Sequence, residues 1–572
     1  MWTRRKFLSS AASAGIAGAL QGCAPGMIKP PSCASHFGSN NPLKVIDVHC
    51  HIFNASDLQV GDFLSKVVAS ELNSEALSII GQFVQDIGWS FAPSAAEELA
   101  WLGRRRTNPD LVLRALAPTA RFGKLPATTA QLPDITGGDS QSRFEAFYQT
   151  FQKQRPEQFK NFTRSYAEQA QVFQTRRAAT AGAIRGLSAL EPTSVQRSLE
   201  SPRNLETMIE YESMGEMPPI LSFVKAFFRY RTENAWLALQ TYGCDSTLGV
   251  DLITPAMVDF DLWLGSPSKD QGRTKSHLED QLKLASEIAR ATAGRVHQFT
   301  PFNPRRAACD STYFDLCTQA IDSYGCIGFK LYPPMGFSPW NNREILGGGE
   351  LACPKGTVSG ADLDKALENF YEFCASRSLP IMAHTSPSNG PSQTAKLLGS
   401  PDHWALAFKQ FPQYFDDSGS KIRFSLGHFG GDHDVSTQPG GNWTPEFAAQ
   451  LEAHPYIFAD LAYYARILQG PSGQAMVSAV LEQYLKRSPY SDRVMYGSDW
   501  IMLGIEPNYQ NYLTEMSKFL SGPMNLSIET QDKILGLNAR KFLGLEINDP
   551  NRRRLEEFHK GFGNKWVFAS ST

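Results

Sequence analysis

The sequence predicts an α/β fold, a (β/α)8 TIM barrel with a large helical insertion after its first strand. Three observations predict it. Val45-Ile46-Asp47-Val48-His49-Cys50-His51 reads as a buried strand that ends in two histidines. From about residue 245, seven more short apolar runs alternate with amphipathic helical stretches. Imidazole or carboxylate residues close five of these eight runs. Alternating strand and helix implies a parallel sheet, and eight such units point to a barrel.

The chain begins with an address. Thr3-Arg4-Arg5-Lys6-Phe7-Leu8 is a twin-arginine pattern, and a short small-residue stretch follows it. Leu20-Gln21-Gly22-Cys23 resembles a bacterial lipoprotein cleavage box with Cys23 as the lipidated residue. Residues 1–23 are therefore expected to be an export signal, and 24–41, rich in Pro, Ser and Gly, a flexible tether. The expected location is the periplasm or cell envelope, with the membrane touched only through a lipid anchor.

Residues 42–54 carry the first strand. Residues 55–240 lack strand signals and place apolar residues at helical spacing, as in Phe144, Tyr148 and Phe151, or Phe223, Phe227 and Tyr230. This insertion holds neither histidine nor cysteine, so it supplies no soft metal ligand. Its basic clusters, Arg104-Arg105-Arg106 and Arg176-Arg177, read as solvated helix faces. The rest of the barrel spans 245–545. Its strands are expected at Leu248–Thr254, Val296–Pro301, Cys326–Leu331, Leu379–His384, Ile422–His428, Tyr456–Asp460 and Val494–Asp499. Helices are expected at Leu363–Cys374, Glu446–Ala453 and Ser527–Leu543, and 546–572 reads as a C-terminal tail.

Composition excludes several function classes. Apolar residues are 42% and charged residues 20% of the 572, the balance of a globular chain. With a net charge of -2 and no strongly basic region, nucleic acid is not an expected partner. Nine cysteines without a CxxC pair exclude a zinc ribbon and leave room for one or two disulfides. No G-x-S-x-G marks a serine hydrolase, and Gly347-Gly348-Gly349 lacks the Lys-Ser/Thr of a phosphate loop.

Barrel enzymes place their chemistry at the C-terminal ends of the strands. Those ends carry His49 and His51, whose i, i+2 spacing points both imidazoles one way, then His384, His428 and Asp499. A lone histidine after an apolar run is as a rule structural. The ordered set on strands one, five, six and eight reads as a metal site.

Several stretches extend the pattern: Pro301-Phe302-Asn303-Pro304-Arg305, Gly328-Phe329-Lys330-Leu331-Tyr332, Ala383-His384-Thr385, Gly497-Ser498-Asp499-Trp500 and Ile534 to Arg540. Together they resemble the amidohydrolase superfamily, in the branch that contains the aminocarboxymuconate semialdehyde decarboxylase group. The likeness covers about residues 44–60 and 245–545. It implies His49, His51 and His384 as nitrogen ligands. Asp499 would be an oxygen ligand that also handles the proton of the attacking water, and His428 a polarising or acid/base group. Three imidazoles and a carboxylate suit one divalent ion, best Zn²⁺. Lys330, at the end of strand four, is expected to meet substrate. His433 and Asp434 read as a solvated turn, His297 as a buried hydrogen-bonded residue, and His36, His277, His403, His454 and His559 as surface or packing residues.

The expected activity is hydrolysis of an amide, ester or lactone bond in a small molecule. A non-oxidative decarboxylase or hydratase on the same scaffold is the alternative. A catalytically idle, anchored binding protein is the alternative from another class, and the complete ligand set argues against it. The lipid anchor has a direct test. Cys23→Ser should shift the protein from the membrane to the soluble periplasmic fraction, and unchanged fractionation would remove the anchor.

Overall fold

Ile46–Cys50 (β1) is buried along its whole length, and it pairs in parallel with Leu252–Pro255 (β2). In the computed structural model the described residues are 45–68, 78–79, 81, 91–107, 140–162, 219–243, 248–264, 274–353, 356–416, 422–432, 443–562 and 566. The export signal, tether, Cys23, His36, Arg176-Arg177, His433 and Asp434 lie outside them, as do the side chains of Arg104-Arg105-Arg106.

The remaining strands are Phe299–Pro301 (β3), Gly328–Leu331 (β4), Glu350–Cys353 (β5), Gly356–Ser359 (β6), Pro380–His384 (β7), Arg423–Gly427 (β8), Ile457–Asp460 (β9) and Val494–Met495 (β10). Six of them form one parallel sheet in the order β10-β9-β8-β7-β4-β3. Isolated parallel bridges, Ile253 to Val296 and Ala256 to Phe299, join β2 to β3. On the other side of β1, Val48 N–H donates to Tyr496 O (3.3 Å) and Asp499 N–H to His49 O (2.7 Å). All eight expected strands are present, shorter at their ends than the apolar runs. The antiparallel hairpin β5–β6 was not expected. Its sequence, Glu-Leu-Ala-Cys and Gly-Thr-Val-Ser, has no long apolar run to mark it.

The strands bury both faces, which is why they read as near-continuous apolar runs. One cluster of side chains gathers Ile46 and Val48 of β1, Leu252 of β2, Phe299 of β3, Met382 of β7, Phe458 of β9 and Met495 of β10. Phe542, from the last turn of the helix after β10, contacts both Phe299 (6.1 Å) and Phe458 (5.7 Å). That ring caps the N-terminal ends of the strands and leaves the C-terminal ends for the site. The expected helix Ser527–Leu543 is found, running through one wider turn at Lys533–Leu537. The expected tail carries a helix, Pro550–Gly561, with Asp549 as its N-cap. His559 on that helix meets His297 Nε2 at 3.0 Å, and His297 Nδ1–H donates to Gly325 O (2.8 Å).

Helices Ala95–Thr107, Ser140–Gln154, Pro219–Ala226 and Arg231–Gly243 fall between β1 and β2. They dock just beyond β1. Asn54 caps the turn Ala55–Asp57, and its Nδ2 donates to Pro93 O (2.9 Å) and Arg229 O (3.0 Å). Asn234 Nδ2 donates to Phe53 O (3.2 Å). Arg231 is buried at the centre of the joint. It pairs with Asp57 through Nε (2.7 Å) and Nη2, with Glu98 at 3.1 Å, and with Ser56 and Ser276 at 2.7 Å each. Two buried carboxylates thus share one guanidinium. A disulfide, Cys309–Cys353, ties the helix Pro304–Cys309 to the hairpin.

Removing Arg231 strands Asp57 and Glu98 as uncompensated buried charges, a loss of about 3–5 kcal/mol. Arg231→Ala should therefore lower the thermal unfolding midpoint strongly. Arg231→Lys, which keeps the charge but loses the fork, should fall between it and the wild type.

Candidate metal centre

Five side chains gather at the C-terminal strand ends. They are His49 and His51 from β1 and the residue after it, His384 ending β7, His428 just after β8, and Asp499 beyond β10. All are 9% exposed or less. The register of β1 against β2 shifts between Asp47 and Cys50. Strand alternation turns Ile46 and Val48 into the apolar cluster below while His49 reaches across to β4 and β9.

Hydrogen bonds fix which nitrogen each imidazole turns inward, because carbonyl and carboxylate oxygens only accept. His49 Nδ1–H donates to Asp460, at 3.1 Å from Oδ1 and 3.2 Å from Oδ2. His51 Nδ1–H donates to Ala256 O (2.7 Å), and His428 Nδ1–H to Ala462 O (3.0 Å). Each of these rings is left with an unprotonated Nε2, and that of His49 lies 2.9 Å from Lys330 Nζ. His428 Nε2 accepts from His384 Nδ1–H (3.1 Å), and His384 Nε2 accepts from Ser388 Oγ (3.2 Å). One nitrogen or oxygen each from His49, His428 and Asp499 lie within 4.8 Å of one another. His51 Nε2 stands 3.1 Å from Asp499 Oδ1 but off the hydrogen-bond axis, so that buried oxygen has no hydrogen-bond partner. A carboxylate oxygen without a hydrogen bond among unprotonated imidazole nitrogens is the donor set a divalent cation takes. The residues therefore fit a metal ion.

The backbone bends to make this set. His428 (φ 70°) and Asp499 (φ 59°) both adopt the left-handed conformation that bulky residues avoid, and neighbours hold them there. His428 N–H donates to Asp460 Oδ1 (2.9 Å), and Asp499 N–H to His49 O. Two glycines make room for His49. A Cβ on Gly427 would lie 2.9 Å from His49 Cε1 and 2.4 Å from Ala383 O. A Cβ on Gly497 would lie 2.9 Å from His49 Cβ.

Burial pushes His49 and His384 well below the usual imidazole range, and neighbouring Lys330 and His428 add to the effect. His428 is lowered by burial, against the pull of Asp499 and Asp460. These imidazoles are neutral at pH 7, as metal binding requires. Burial alone would raise Asp499, yet His51, His428 and His49 together hold it below the ordinary carboxylate value.

Lys330 was expected at the substrate. The structure puts its Nζ 2.9 Å from His49 Nε2, 1% exposed, and outside the set of described residues that line the cleft. Burial pushes it down to about 8, with Asp460 and Asp499 pulling upward. The sequence reading missed Asp460, the residue that orients His49. It was taken only as the end of a strand, and its signal was available: an acid closing an apolar run, like Asp499. Asp47 was missed as well. It binds Ser498 N–H (2.9 Å) and Ser498 Oγ, latching β1 to the turn that carries Asp499, and burial raises it to about 7 despite those bonds.

Residues 305–545 match the family model described as Amidohydrolase, a span that contains His384, His428, Asp460 and Asp499. Over that span the chain is similar to the amidohydrolase family. It is an enzyme of the metal-dependent hydrolase type. Among solved structures it is similar to 4-oxalomesaconate hydratase from Rhodopseudomonas palustris, at 16% identity over 55% of this chain and 78% of that chain, with a TM-score of 0.33. An amidohydrolase from Burkholderia multivorans with bound zinc is 12% identical over 51% and 83%, with a TM-score of 0.32. An uncharacterized TIM-barrel protein from Bordetella bronchiseptica is 16% identical over 59% and 89%, with a TM-score of 0.34. No curated protein matches the chain.

Outer partners of a metal-binding histidine are worth about 10–100-fold in metal affinity or activity. Asp460→Asn should cost that much in zinc affinity, read by competition with a chromogenic chelator. Gly427→Ala should lose metal as well, because the added methyl meets backbone on one side and His49 on the other.

Proposed function

We propose that this amidohydrolase uses one divalent ion, Zn²⁺, to hydrolyse an amide, ester or lactone bond of a small molecule. One observation carries the reading: Asp499 Oδ1, buried without a hydrogen bond, faces imidazoles whose Nδ1–H groups are already committed elsewhere. His49, His51, His384 and Asp499 would hold the ion. His428, within 4.8 Å of His49 and Asp499, stands beside them as a further ligand or as the acid/base group. A bound ion would supply Lewis acidity to the water and carbonyl it meets.

The chain's own groups do the rest. Asp499, ionised at neutral pH, accepts the proton of the attacking water at Oδ1 and returns it to the leaving nitrogen or oxygen. His428 holds its Nδ1–H on Ala462 O, so Nε2 is the atom through which it accepts a proton. Asp460 and Ala256 O keep the His49 and His51 rings from turning. Lys330 Nζ meets His49 at the inward Nε2, on the side opposite Asp460.

The proposal has a structural part. The eight parallel strands close into a (β/α)8 barrel, supported by the β2–β3 bridges and by the bonds from β1 to residues 496–499. It also has a cellular part, export by the twin-arginine route with Cys23 as anchor. The disulfide Cys309–Cys353 supports an oxidising compartment.

Zinc-loaded protein should cleave members of a panel of aryl esters, amides and lactones. Asp499→Asn should lower kcat by about 10²–10⁴-fold. Elemental analysis should give near one ion per chain, lost in His49→Ala, and comparison of His384→Ala with His428→Ala identifies the remaining nitrogen ligand. Release of CO₂ from aromatic carboxylates without any hydrolysis would overturn the hydrolase reading in favour of a decarboxylase.

A further inference from the structure

Directly after β9 the chain makes a tight turn at residues 461–464. This turn faces the centre with its backbone. Ala462 O accepts the Nδ1–H of His428 (3.0 Å). Ala462 N–H donates to Asp460 Oδ1 (3.2 Å), the oxygen that also takes the His49 ring and the His428 N–H. The backbone of one residue therefore serves two side chains of the centre. For both groups to point there, the chain bends hard at the next residue. Tyr463 holds the left-handed conformation (φ 57°), which a bulky side chain avoids. Such a bend persists only where the surroundings over-determine it.

A single hydroxyl closes the turn. Tyr512 O–H donates to Leu461 O (2.7 Å), and Tyr464 N–H donates to the same phenol oxygen (3.0 Å). These are the C=O of the first residue and the N–H of the fourth, the two groups that a β-turn brings together. Tyr512 opens the helix Tyr512–Ser521, which follows β10, and it is fully buried. Burial pushes its phenol well above the usual range, so the oxygen keeps the proton it donates. From the other side, Leu461 N–H donates to Met495 O of β10 (2.9 Å). Leu461 and Tyr464 are buried as well, so water offers their backbone groups no substitute partner.

A second tie reinforces the first. Tyr463 O–H donates to Glu506 Oε1 (2.9 Å). Glu506 follows the short helix Met502–Ile505, in which Leu503 N–H donates to Asp499 O (2.9 Å). Both ties thus run from the turn after β9 to the segment after β10 that carries Asp499. Their effect is felt at His428. With Nδ1–H committed to Ala462 O, its Nε2 is free of a proton and accepts from His384 Nδ1–H (3.1 Å). If Ala462 O swung away, nothing would fix which nitrogen of His428 carries the proton. The opposite tautomer would set its Nε2–H against the Nδ1–H of His384.

Resting on the hydrolase reading of the centre, we infer that Tyr512 is a positioning residue for the reaction. By closing the turn at 461–464, its hydroxyl holds Ala462 O against His428 Nδ1–H and so keeps His428 Nε2 unprotonated. Tyr463, bound to Glu506, is the second tie of the same turn. Both phenols act through Ala462 O.

Tyr512→Phe keeps the ring and deletes one oxygen. Nitrogen NMR of full-length protein with isotope-labelled histidine reads the tautomer of His428, whose signals are identified by their loss in His428→Gln. Metal is first removed by chelation, so that no ion holds the ring. The wild type should show the Nδ1–H form alone, and Tyr512→Phe a mixture with the Nε2–H form. A loss of stability by itself leaves the tautomer as it is. With zinc restored, Tyr512→Phe should lower kcat for a cleaved ester by about 10-fold at nearly unchanged KM. Tyr463→Phe should shift the tautomer the same way but less, and it is read instead if Tyr512→Phe fails to fold. A tautomer mixture in the wild type overturns the inference, as does a pure Nδ1–H signal or an unchanged kcat in the folded variant. A mixture in Tyr512→Phe of a protein that hydrolyses nothing keeps the phenol's hold on His428 and removes only the hydrolase reading. Ester hydrolysis with a single tautomer in every variant does the reverse.

Discussion

Everything at the strand ends depends on the carboxylate of Asp460. It is fully buried, accepts from the His49 ring, the His428 N–H and the Ala462 N–H, and so joins β1, β8 and β9 at one point. Ser425 Oγ approaches its second oxygen at 3.4 Å. A bare buried carboxylate is costly, and burial does raise its affinity for a proton against the pull of His428 and Lys330. Four donors meet that cost. In return, the ring of His49 has one permitted orientation and His428 is held in a conformation it would otherwise avoid.

The electrostatics around it explain why the site suits a cation. Asp460 and Asp499 face a single amine, Lys330, whose own charge is weakened by burial. The surrounding imidazoles are neutral and offer lone pairs rather than charge. A low-dielectric pocket with excess negative charge and bare nitrogens gains from a divalent ion far more than water would. The fit of these residues to a cation thus follows from local charge balance as well as from ligand type.

The segment between β1 and β2 is tied to the site through a different physical device. Arg231 binds Asp57 and Glu98 where no water competes, and this clamps the turn three residues beyond Phe53. Phe63, backed by Phe227, then lines the cleft. A segment that contributes no ligand still shapes what the ligands act on.

Much of this was legible in the residues. Eight apolar runs located the eight parallel strands, because strands covered on both faces cannot hide their composition. The spacing of His49 and His51, with His384, His428 and Asp499 at later strand ends, located the centre. The hairpin β5–β6 was not legible, since its half-exposed strands carry no apolar run. The helix in the C-terminal segment was missed because its face is mostly charged, and it is held by the contacts of Asn551, Arg554 and His559 with distant strands. Asp460 looked like a strand terminus until packing brought it to His49, 411 positions away in the chain. Lys330 was read as facing substrate, but only the positions of β1 and β4 turn it onto His49. Residue types and their order were enough to point to a metal-dependent class of chemistry, because metal binding demands particular donor atoms. Which nitrogen points inward, which carboxylate orients and which merely neutralises, and which rings wall the cleft are set by contacts between segments far apart in the chain, and no local pattern carries that information.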